Sequence, residues 1–256
     1  MLLAIDIGNT NLTVGIFAGN KLKRQFDLSS KIYLKGQLTR KIKVYPSISA
    51  CVICSVVPKL TRLIRDEIKN LTGKYPYIIG NDLTVPIKNL YRVPKQVGSD
   101  RLVNAFAAAQ MYGAPLVVID TGTAITFDAV SNDQAYLGGL ICPGMRISLE
   151  ALGEKTALLP RVKLRPPKSL IGRDTKSSIL NGVVLGTAAL TKELAAKLKQ
   201  KLGKKTKFIG TGGNITLIKR YSGIKMRINQ NLTLIGIKLA YNNAVARTKL
   251  KEIKNS

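Results

Sequence analysis

The sequence predicts an α/β protein built from two related lobes. Apolar runs of strand length alternate along the chain with segments of helical periodicity. One pattern occurs twice: a strand ending in aspartate, a turn containing glycine, and a return strand. Its copies are D-I-G-N-T at 6–10 and D-T-G-T-A at 120–124. The 256 residues are enough for two lobes, since single domains commonly hold roughly 100–150 residues.

The first half of the chain alternates expected strands and helices. A helix is expected over 58–71, where leucine and isoleucine recur at helical spacing. Another is expected over 100–113, capped by Ser99 or Asp100 and stopped by Gly113. β-branched and other apolar residues mark the expected strands at 2–8, 12–17, 48–57 and 75–80.

The second half continues the same alternation. Residues 137–152 are expected to form a loop and then a helix. Strands are expected at 115–120, 124–130 and 206–213, and helices at 179–202, 214–221 and 234–250. No low-complexity linker marks a boundary. We place the N-terminal lobe at 1–112 and the C-terminal lobe at 113–256, with the last helix packing back on the N-terminal lobe.

Composition excludes several kinds of site. The chain has no histidine and three cysteines, so a Ser-His-Asp triad, a Cys-His pair and a His-ligated metal site are excluded. Cys51 and Cys54 form a C-x-x-C inside an expected strand, where residues three apart point to opposite faces and the thiols do not meet. Charge or glycine interrupts the apolar runs, which predicts no transmembrane helix and no membrane insertion. The N-terminus, with Asp6 in its apolar run, is expected to be a mature cytosolic start.

The charge balance is strongly basic. Lys and Arg number 41 against 14 Asp and Glu, which gives a net charge of +27. Such a balance favours the binding of polyanions such as nucleic acids. Aromatic residues make up 5% and are not interleaved with the basic stretches, so no stacking platform can be found in the sequence. We expect salt-sensitive, nonspecific adhesion to nucleic acid and no specific nucleic-acid partner.

The two aspartate turns predict a phosphate site. Glycine lets a phosphate approach the chain, backbone N–H groups and polar side chains donate to it, and Asp6 is placed to hold Mg²⁺ or its water. Two facing turns can grip one polyphosphate. Thr211-Gly212-Gly213 follows another strand and lets a flat ring or ribose lie against the backbone.

Elimination indicates the general base. Without histidine, a base must come from the 14 carboxylates or from a shifted Lys or Cys. Asp100 lies in G-S-D-R at a helix start and is the first candidate, with Asp174 second. The positive charge of Arg101 is unfavourable at a helix N-terminus, where the helix dipole is also positive. A role in binding a substrate carboxylate or phosphate therefore explains Arg101 better than a role in helix capping.

These motifs resemble known proteins along nearly the whole chain. The paired turns resemble the acetate kinase/sugar kinase/Hsp70/actin superfamily, which implies two facing lobes of the actin-like (ribonuclease H-like) kind, each a mixed sheet with helices. Within it, G-S-D-R, Y-L-G-G-L-I-C-P-G, T-A-L-L-P, I-G-x-D-T and T-G-G resemble type III pantothenate kinase. Ser99 stands where alanine is usual in that family, and Ile125 where threonine is common.

The resemblance implies ATP-dependent phosphorylation of pantothenate, the first step of coenzyme A biosynthesis, by a cytoplasmic homodimer. Asp120 would bind a monovalent cation, K⁺ or NH₄⁺, which revises its metal role, and Mg²⁺ would accompany ATP. Asp100 would accept the proton. ATP would contact Asp6, Ile7, Gly8, Asn9, Thr10, Asn11, Leu12, Thr13 and Thr123. Pantothenate would contact Gly98, Ser99, Asp100, Arg101 and Thr175, with Tyr91 lining the same pocket.

Two alternatives stay open at this point. One is a nucleic-acid-binding transcription accessory factor on the same fold, which the charge favours and the intact phosphate motifs disfavour. The other is a kinase for a different small hydroxy compound, or a filament-forming relative.

Overall fold

A computed structural model describes residues 1–45 and 47–254, with the side chains of 249 and 251–254 left out. The chain forms two compact units. Unit 1 comprises Met1–Lys88, Arg92–Ala107 and Asn231–Ser256, and unit 2 comprises Asn89–Tyr91 and Ala108–Gln230. The expected boundary after residue 112 stays a prediction; the units differ from it at 89–91, 108–112 and 231–256.

Unit 1 contains a five-stranded sheet in the order β3-β2-β1-β4-β5. Its strands are β1 (Leu2–Ile7), β2 (Asn11–Ala18), β3 (Lys21–Ser29), β4 (Ala50–Ser55) and β5 (Tyr77–Ile78). Its helices are α1 (Gln37–Ile42), α2 (Pro58–Thr72), the start of α3 (Ser99–Tyr112) and α7 (Leu232–Lys254). The first three strands are antiparallel, and β4 and β5 continue from β1 in parallel.

Apolar side chains cover both faces of this sheet. On one face, Leu3, Ile5 and Ile53 pack with α1 and α2. On the other, Val52 and Cys54 pack with Ile237 and other residues of α7. Burial on both faces explains why these strands appear in the sequence as nearly continuous apolar runs.

Unit 2 contains a second five-stranded sheet in the order β10-β9-β6-β7-β8. Its strands are β6 (Leu116–Thr121), β7 (Ala124–Val130), β8 (Tyr136–Pro143), β9 (Lys207–Thr211) and β10 (Arg227–Ile228). Its helices are α4 (Met145–Lys155), α5 (Thr175–Leu202) and α6 (Ile215–Ser222), with the end of α3. The first three strands are again antiparallel, and β9 and β10 are parallel to β6.

The two sheets repeat one topology. In each, a three-strand meander is extended by two parallel strands on the far side of its first strand. The registers correspond as well, because Asp6 lies opposite Cys54 and Asp120 lies opposite Thr211. The α/β fold with two mixed sheets, inferred from the repeated aspartate turn, is confirmed.

Four elements differ from the sequence-based expectation. Residues 137–143 were expected to be a loop and instead belong to the edge strand β8, which pairs along β7. The basic segment that forms β3, the six-residue α1 and the two-residue β10 were not predicted. Solvent covers much of β3 and β8, and α1 and β10 are too short for a periodic pattern to indicate them.

Helix α5 is long and apolar enough to be a candidate membrane span by length and composition, which differs from the expectation that no segment qualifies. Part of it is buried in unit 2, where Leu180 and Val184 pack with Met145 and Ile218. A core helix passes the same test, so the finding is weak evidence for a membrane span.

The C-x-x-C is a buried strand segment, as predicted. Cys51 packs in the core on one face of the sheet and Cys54 in the core on the other. Both thiols are free, and burial raises the pKa of Cys51 far above its ordinary value. A thiolate is therefore disfavoured at either position, which argues against redox exchange.

A buried carboxylate holds the segment before α1 in place. Glu67 of α2 accepts hydrogen bonds from the Tyr33 hydroxyl at 2.9 Å, the Gly36 backbone N–H at 2.7 Å and the Thr39 hydroxyl at 3.3 Å. The Tyr33 oxygen also accepts from the Leu38 N–H at 3.1 Å. Burial and the neighbouring carboxylate raise the pKa of Tyr33.

We expect Glu67→Ala to lower the free energy of unfolding by about 1–3 kcal/mol, because it leaves three half-buried donors without their acceptor. Asp66→Ala removes an exposed carboxylate from the same helix, and should cost about 0.5 kcal/mol or less. Urea unfolding followed by circular dichroism measures both. Equal losses for the two variants would contradict the structural role of Glu67.

Candidate active site

The first aspartate turn joins β1 to β2. The Gly8 N–H donates to the Asn11 carbonyl at 2.9 Å, which closes the turn. A Cβ on Gly8 would lie 3.3 Å from that carbonyl oxygen, so the chain passes close to itself here. Asn9 and Asn11 are exposed, while Asp6, Thr10 and Thr13 are half-buried. The turn therefore presents polar groups to solvent beside a partly shielded carboxylate.

The predicted ATP contacts of this segment are not equivalent. The side chains of Ile7 and Leu12 are fully buried in the core, which leaves only their backbone for a ligand. The Thr13 hydroxyl donates to Asp27 Oδ1 of β3 at 2.7 Å. Asp27 is a residue of this region that the sequence did not indicate, because β3 was not predicted.

Cys54 brings the first turn and the G-S-D-R segment to one place. It lies beside Asp6 in the parallel pairing of β1 and β4, and its thiol donates to the Ser99 hydroxyl oxygen at 3.4 Å. Burial raises its pKa most, and the negative charges of Asp6 and Asp100 raise it further. Both carboxylates therefore lie near the same thiol, within unit 1.

Ser99 does not cap α3 as expected. Its hydroxyl donates to the Ser55 carbonyl at 3.4 Å, which links the helix start to the end of β4. The first-turn donor is instead served by Asp100, whose Oδ1 accepts from the Arg101 N–H at 2.9 Å. The second of the two capping alternatives, Asp100, is the one that contacts the helix backbone.

Gly98 leaves room for the Asp100 side chain. A Cβ at position 98 would come within 2.5 Å of Asp100 Oδ1 and 3.9 Å of Val56 Cγ1. The backbone there is not left-handed, so glycine is required by this close approach and not by the conformation of the chain. The carboxylate folds back over the residue that precedes the helix.

Burial makes Asp100 a stronger base than an exposed aspartate. Desolvation raises the pKa of its carboxyl, and the hydrogen bond from the Arg101 N–H and the Arg101 charge oppose that shift in part. A carboxylate with a raised pKa holds a proton more firmly, as a general base requires.

The second aspartate turn, in unit 2, joins β6 to β7. The Gly122 N–H donates to the Ala124 carbonyl at 3.0 Å. The T-G-G segment lies against it: the Thr121 hydroxyl donates to the Thr211 carbonyl at 3.3 Å. Gly212 has φ +88°, and a Cβ there would collide with Asp120 Oδ1 and lie 2.7 Å from the Thr121 nitrogen. The two motifs that the sequence left apart thus form one site around Asp120.

Thr123, the other predicted ATP contact, is exposed at the tip of this turn. The Gly144 N–H donates to its carbonyl at 3.2 Å. A Cβ on Gly144 would collide with the same carbonyl and lie 2.8 Å from the Gly122 oxygen. The P-G pair before α4 therefore fixes the second turn from one side.

Tyr91 is held against β8 in unit 2. Its ring centroid lies 6.5 Å from that of Tyr136, and a Cβ on Gly138 would lie 3.1 Å from the Tyr91 ring. The buried Tyr136 hydroxyl donates to Asp128 Oδ1 at 2.8 Å. Asp128 therefore anchors the residue on which Tyr91 rests.

Thr175 is exposed at the first position of α5, and Asp174 is its N-cap. The Asp174 carboxylate accepts from the Ser177 N–H at 2.9 Å and from the Ser177 hydroxyl at 2.8 Å. These hydrogen bonds lower the pKa of Asp174. A weaker, committed carboxylate is a poor base, so the second base candidate is a helix cap.

The described residues contain no group of three or more Cys, Asp or Glu side chains that could hold a metal ion. The carboxylates of Asp6 and Asp120 therefore belong to no such cluster among these residues.

Comparison with known proteins gives one answer. A family model described as type III pantothenate kinase matches residues 2–197. The chain is 35% identical over 249 residues to a type III pantothenate kinase of Dehalococcoides mccartyi, covering 94% of this chain and 96% of that protein. It is 36% identical over 250 residues to one of Moorella thermoacetica, covering 94% and 98%.

The chain belongs to the type III pantothenate kinase family. The match spans both aspartate turns and G-S-D-R, and it does not favour the alternatives of a transcription accessory factor or a kinase for another compound. As a pantothenate kinase, the chain is a phosphotransferase of coenzyme A biosynthesis.

Solved structures agree on the fold. A putative Baf family transcriptional activator from Campylobacter jejuni has a TM-score of 0.59 at 20% identity, covering 95% of this chain and 99% of that one. An activator of 2-hydroxyisocaproyl-CoA dehydratase from Clostridium difficile, with bound ADPNP, has a TM-score of 0.52 at 12% identity, covering 97% of each. At these identities the likeness concerns the fold alone.

We expect Gly98→Ala to lower kcat for pantothenate phosphorylation by about tenfold to a hundredfold, because the added methyl displaces the Asp100 carboxylate. The free energy of unfolding should fall by about 1 kcal/mol or less, since only the end of one side chain must move. Steady-state kinetics and urea unfolding on the same preparation separate the two effects. An unchanged kcat would show that the position of Asp100 over Gly98 does not matter to the reaction.

Proposed function

We propose that Asp100 is the general base in the ATP-dependent phosphorylation of pantothenate that membership of this family assigns to the chain. The observation that supports it is the carboxylate at the start of α3, partly desolvated, folded over Gly98 and near Asp6. Asp174, the rival base, is committed to capping α5.

The step transfers one phosphoryl group. The primary hydroxyl oxygen of pantothenate attacks the γ-phosphorus of ATP, the bond from that phosphorus to the β,γ-bridging oxygen breaks, and ADP leaves. Asp100 accepts the hydroxyl proton. The transition state is loose and the proton moves late, so most of the rate enhancement comes from positioning and charge neutralisation.

The turn at 8–13 is proposed to bind phosphate oxygens of ATP. Asn9, Asn11 and the exposed part of the turn supply donors, and Gly8 permits close approach of an anion to the backbone. Thr123 adds a hydroxyl from the second turn. Ile7 and Leu12 contribute through backbone groups alone, because their side chains are in the core.

The proposed metal ligands are the two repeated aspartates. The half-buried Asp6 fits Mg²⁺ held through water, since a carboxylate is a hard oxygen ligand. Mg²⁺ neutralises phosphate charge when it is bound. Asp120 fits K⁺ or NH₄⁺: the Gly212 backbone packs closely beside its carboxylate, and the neighbouring Thr121 and Thr211 carry hydroxyl and carbonyl oxygens of the kind that such a cation takes as ligands.

The remaining predicted residues are proposed to hold pantothenate. Arg101 follows the base directly and carries the positive charge that suits the pantothenate carboxylate. Gly98 and Ser99 shape the same helix start. Tyr91 and Thr175 belong to unit 2 and contribute a ring and a hydroxyl.

We also propose that the enzyme is a cytoplasmic homodimer. Edge strand β8 exposes Leu137, Leu140 and Ile141, the last with 64% of its surface accessible. An unpaired edge with apolar side chains is a surface that proteins normally cover.

Asp100→Asn should lower kcat by about 10²–10⁴-fold, because the amide cannot accept the proton. ADP release with ATP, Mg²⁺ and pantothenate measures it. Asp174→Asn is the matched control: asparagine also caps helices well, so its kcat should stay within about threefold. If kcat of the folded Asp100→Asn variant falls by less than about tenfold, Asp100 acts only as a hydrogen-bond acceptor at the start of α3 and not as the base.

The pH profile gives a second readout for Asp100. A base acts when deprotonated, so kcat/KM must fall as the pH drops through its pKa. Because burial raises that pKa, the acid limb should lie above the value of about 4 for an exposed aspartate.

Asp120→Asn should weaken activation by a monovalent cation, since the amide lacks the charge that attracts it. We expect the K⁺ concentration for half-maximal activity to rise by about tenfold or more, with kcat approached again at high K⁺. Titrations of KCl against NaCl at constant ionic strength measure it. The same K⁺ dependence in both proteins would remove Asp120 from the cation site.

A further inference from the structure

A cleft lies in unit 1, away from the residues assigned to the kinase reaction. It has a volume of about 400 Å³. The start of β4, the end of α2, the segment leading into β5 and one residue of α7 form its walls. Its lining consists of Ile48, Ser49, Ala50, Cys51, Lys69, Thr72, Gly73, Lys74, Tyr75, Tyr77 and Tyr241.

This cleft is separate from the aspartate turn. Ala50 and Cys51 open β4, whereas Cys54 and Ser55, beside Asp6 and Ser99, close it. Five residue steps along a strand span roughly 16 Å. The cleft and the Asp6–Asp100 region therefore lie at opposite ends of strand β4, so that substitutions in one can leave the other intact.

Three of the nine tyrosines of the chain meet in this cleft. The rings of Tyr77 and Tyr241 lie 5.8 Å apart at an angle of 50°. Tyr75 and Tyr77 keep 55% and 44% of their surfaces exposed. Burial, and then the neighbouring Tyr77, raise the pKa of Tyr241, which keeps its hydroxyl protonated as a donor. The exposed ring of Tyr77, held against Tyr241, offers a face on which a planar group can stack.

Positive charge surrounds the same rings. The Arg65 guanidinium lies 4.5 Å and the Lys69 ammonium 4.9 Å from the centroid of Tyr75. Lys74 lines the cleft, and the N-terminal ammonium of Met1 contacts the Ser49 hydroxyl at 3.5 Å. Among the described residues that line the cleft, none is a carboxylate. An anion would therefore meet donors and cations on several sides.

One feature of the cleft opposes an anion. Helix α2 ends there, and the free carbonyls of a helix C-terminus carry partial negative charge. Lys69 donates to the Gly73 carbonyl at 2.6 Å and so offsets part of that charge. The positive charge that would attract an anion to the cleft therefore comes from Lys74, Arg65 and the N-terminus.

We propose that this cleft binds a nucleotide unit, with its base on the tyrosine rings and its phosphate toward Lys74 and the hydroxyl of Tyr241; the Ser49 hydroxyl donates to the Met1 carbonyl at 3.1 Å and is not counted as a donor to the phosphate. A cleft of this size suits one base, one sugar and one phosphate. Free mononucleotides and the units of a single strand share this chemistry. The kinase reaction uses none of these residues, so the cleft is an accessory site.

The test measures binding of dTMP, thymidine, inorganic phosphate and a thymidine hexanucleotide by calorimetry. The chain has no tryptophan, so quenching of tyrosine emission reports stacking independently. We expect dTMP to bind at least tenfold more tightly than thymidine or phosphate alone. Tyr77→Leu should weaken dTMP binding by about tenfold, and Lys74→Gln by about fivefold, with KM for ATP and kcat unchanged.

Lys204→Gln is the matched control, because it removes one exposed charge from the turn after α5. It should change dTMP binding by less than about twofold. Tyr75→Leu, at the most exposed ring, repeats the test if Tyr77→Leu fails to fold. Binding of the hexanucleotide alone, lost in Tyr77→Leu, would support the site with a single strand as its source. The proposal is overturned if neither dTMP nor the hexanucleotide binds more tightly than phosphate, or if Lys204→Gln weakens binding as much as Lys74→Gln.

Discussion

The parallel pairing of β1 with β4 is the interaction on which the rest of unit 1 depends. It aligns Asp6 with Cys54 and carries the chain to Ser55, whose carbonyl receives the Ser99 hydroxyl. The start of α3, and with it Asp100, is thereby tied to the end of the sheet that carries the phosphate turn. Unit 2 repeats the pairing between β6 and β9, where Asp120 lies beside Thr211 and Gly212. One strand arrangement thus provides two carboxylates in the same structural position.

The two carboxylates differ because their surroundings differ. The neighbour of Asp6 in the parallel strand is a buried thiol, which offers no cation ligand at neutral pH because its pKa is raised. The neighbour of Asp120 is a threonine followed by a glycine with φ +88°, whose backbone packs closely against the carboxylate and leaves no room for a side chain there. The repeat explains where the aspartates lie, and the residues across the strand pair explain why their proposed roles diverge.

The motifs that were predictable from the sequence are those whose chemistry is local. The aspartate turns, G-S-D-R and the buried C-x-x-C strand each depend on residues within about ten positions, so spacing alone indicates them. The contacts that were missed join distant segments. Asp27 reaches Thr13 only because β3 pairs with β2. The need for a residue without a side chain at Gly98 follows from the position of the Asp100 carboxylate, which the sequence does not show. The exposed strand β8 lacks an apolar alternation, because much of it faces solvent.

The tyrosine cleft is the extreme case of such a distant contact. Tyr241 lies more than 160 positions from Tyr77 in the sequence and reaches it because α7 packs on β1 and β4. The prediction that no stacking platform exists rested on aromatics and cations that are not interleaved along the chain. Folding places Arg65 and Lys69 over Tyr75 even so, since the end of α2 runs beside the entry to β5. The proposed nucleotide site therefore depends on where the few aromatic rings are placed in the fold, which charge density alone does not reveal.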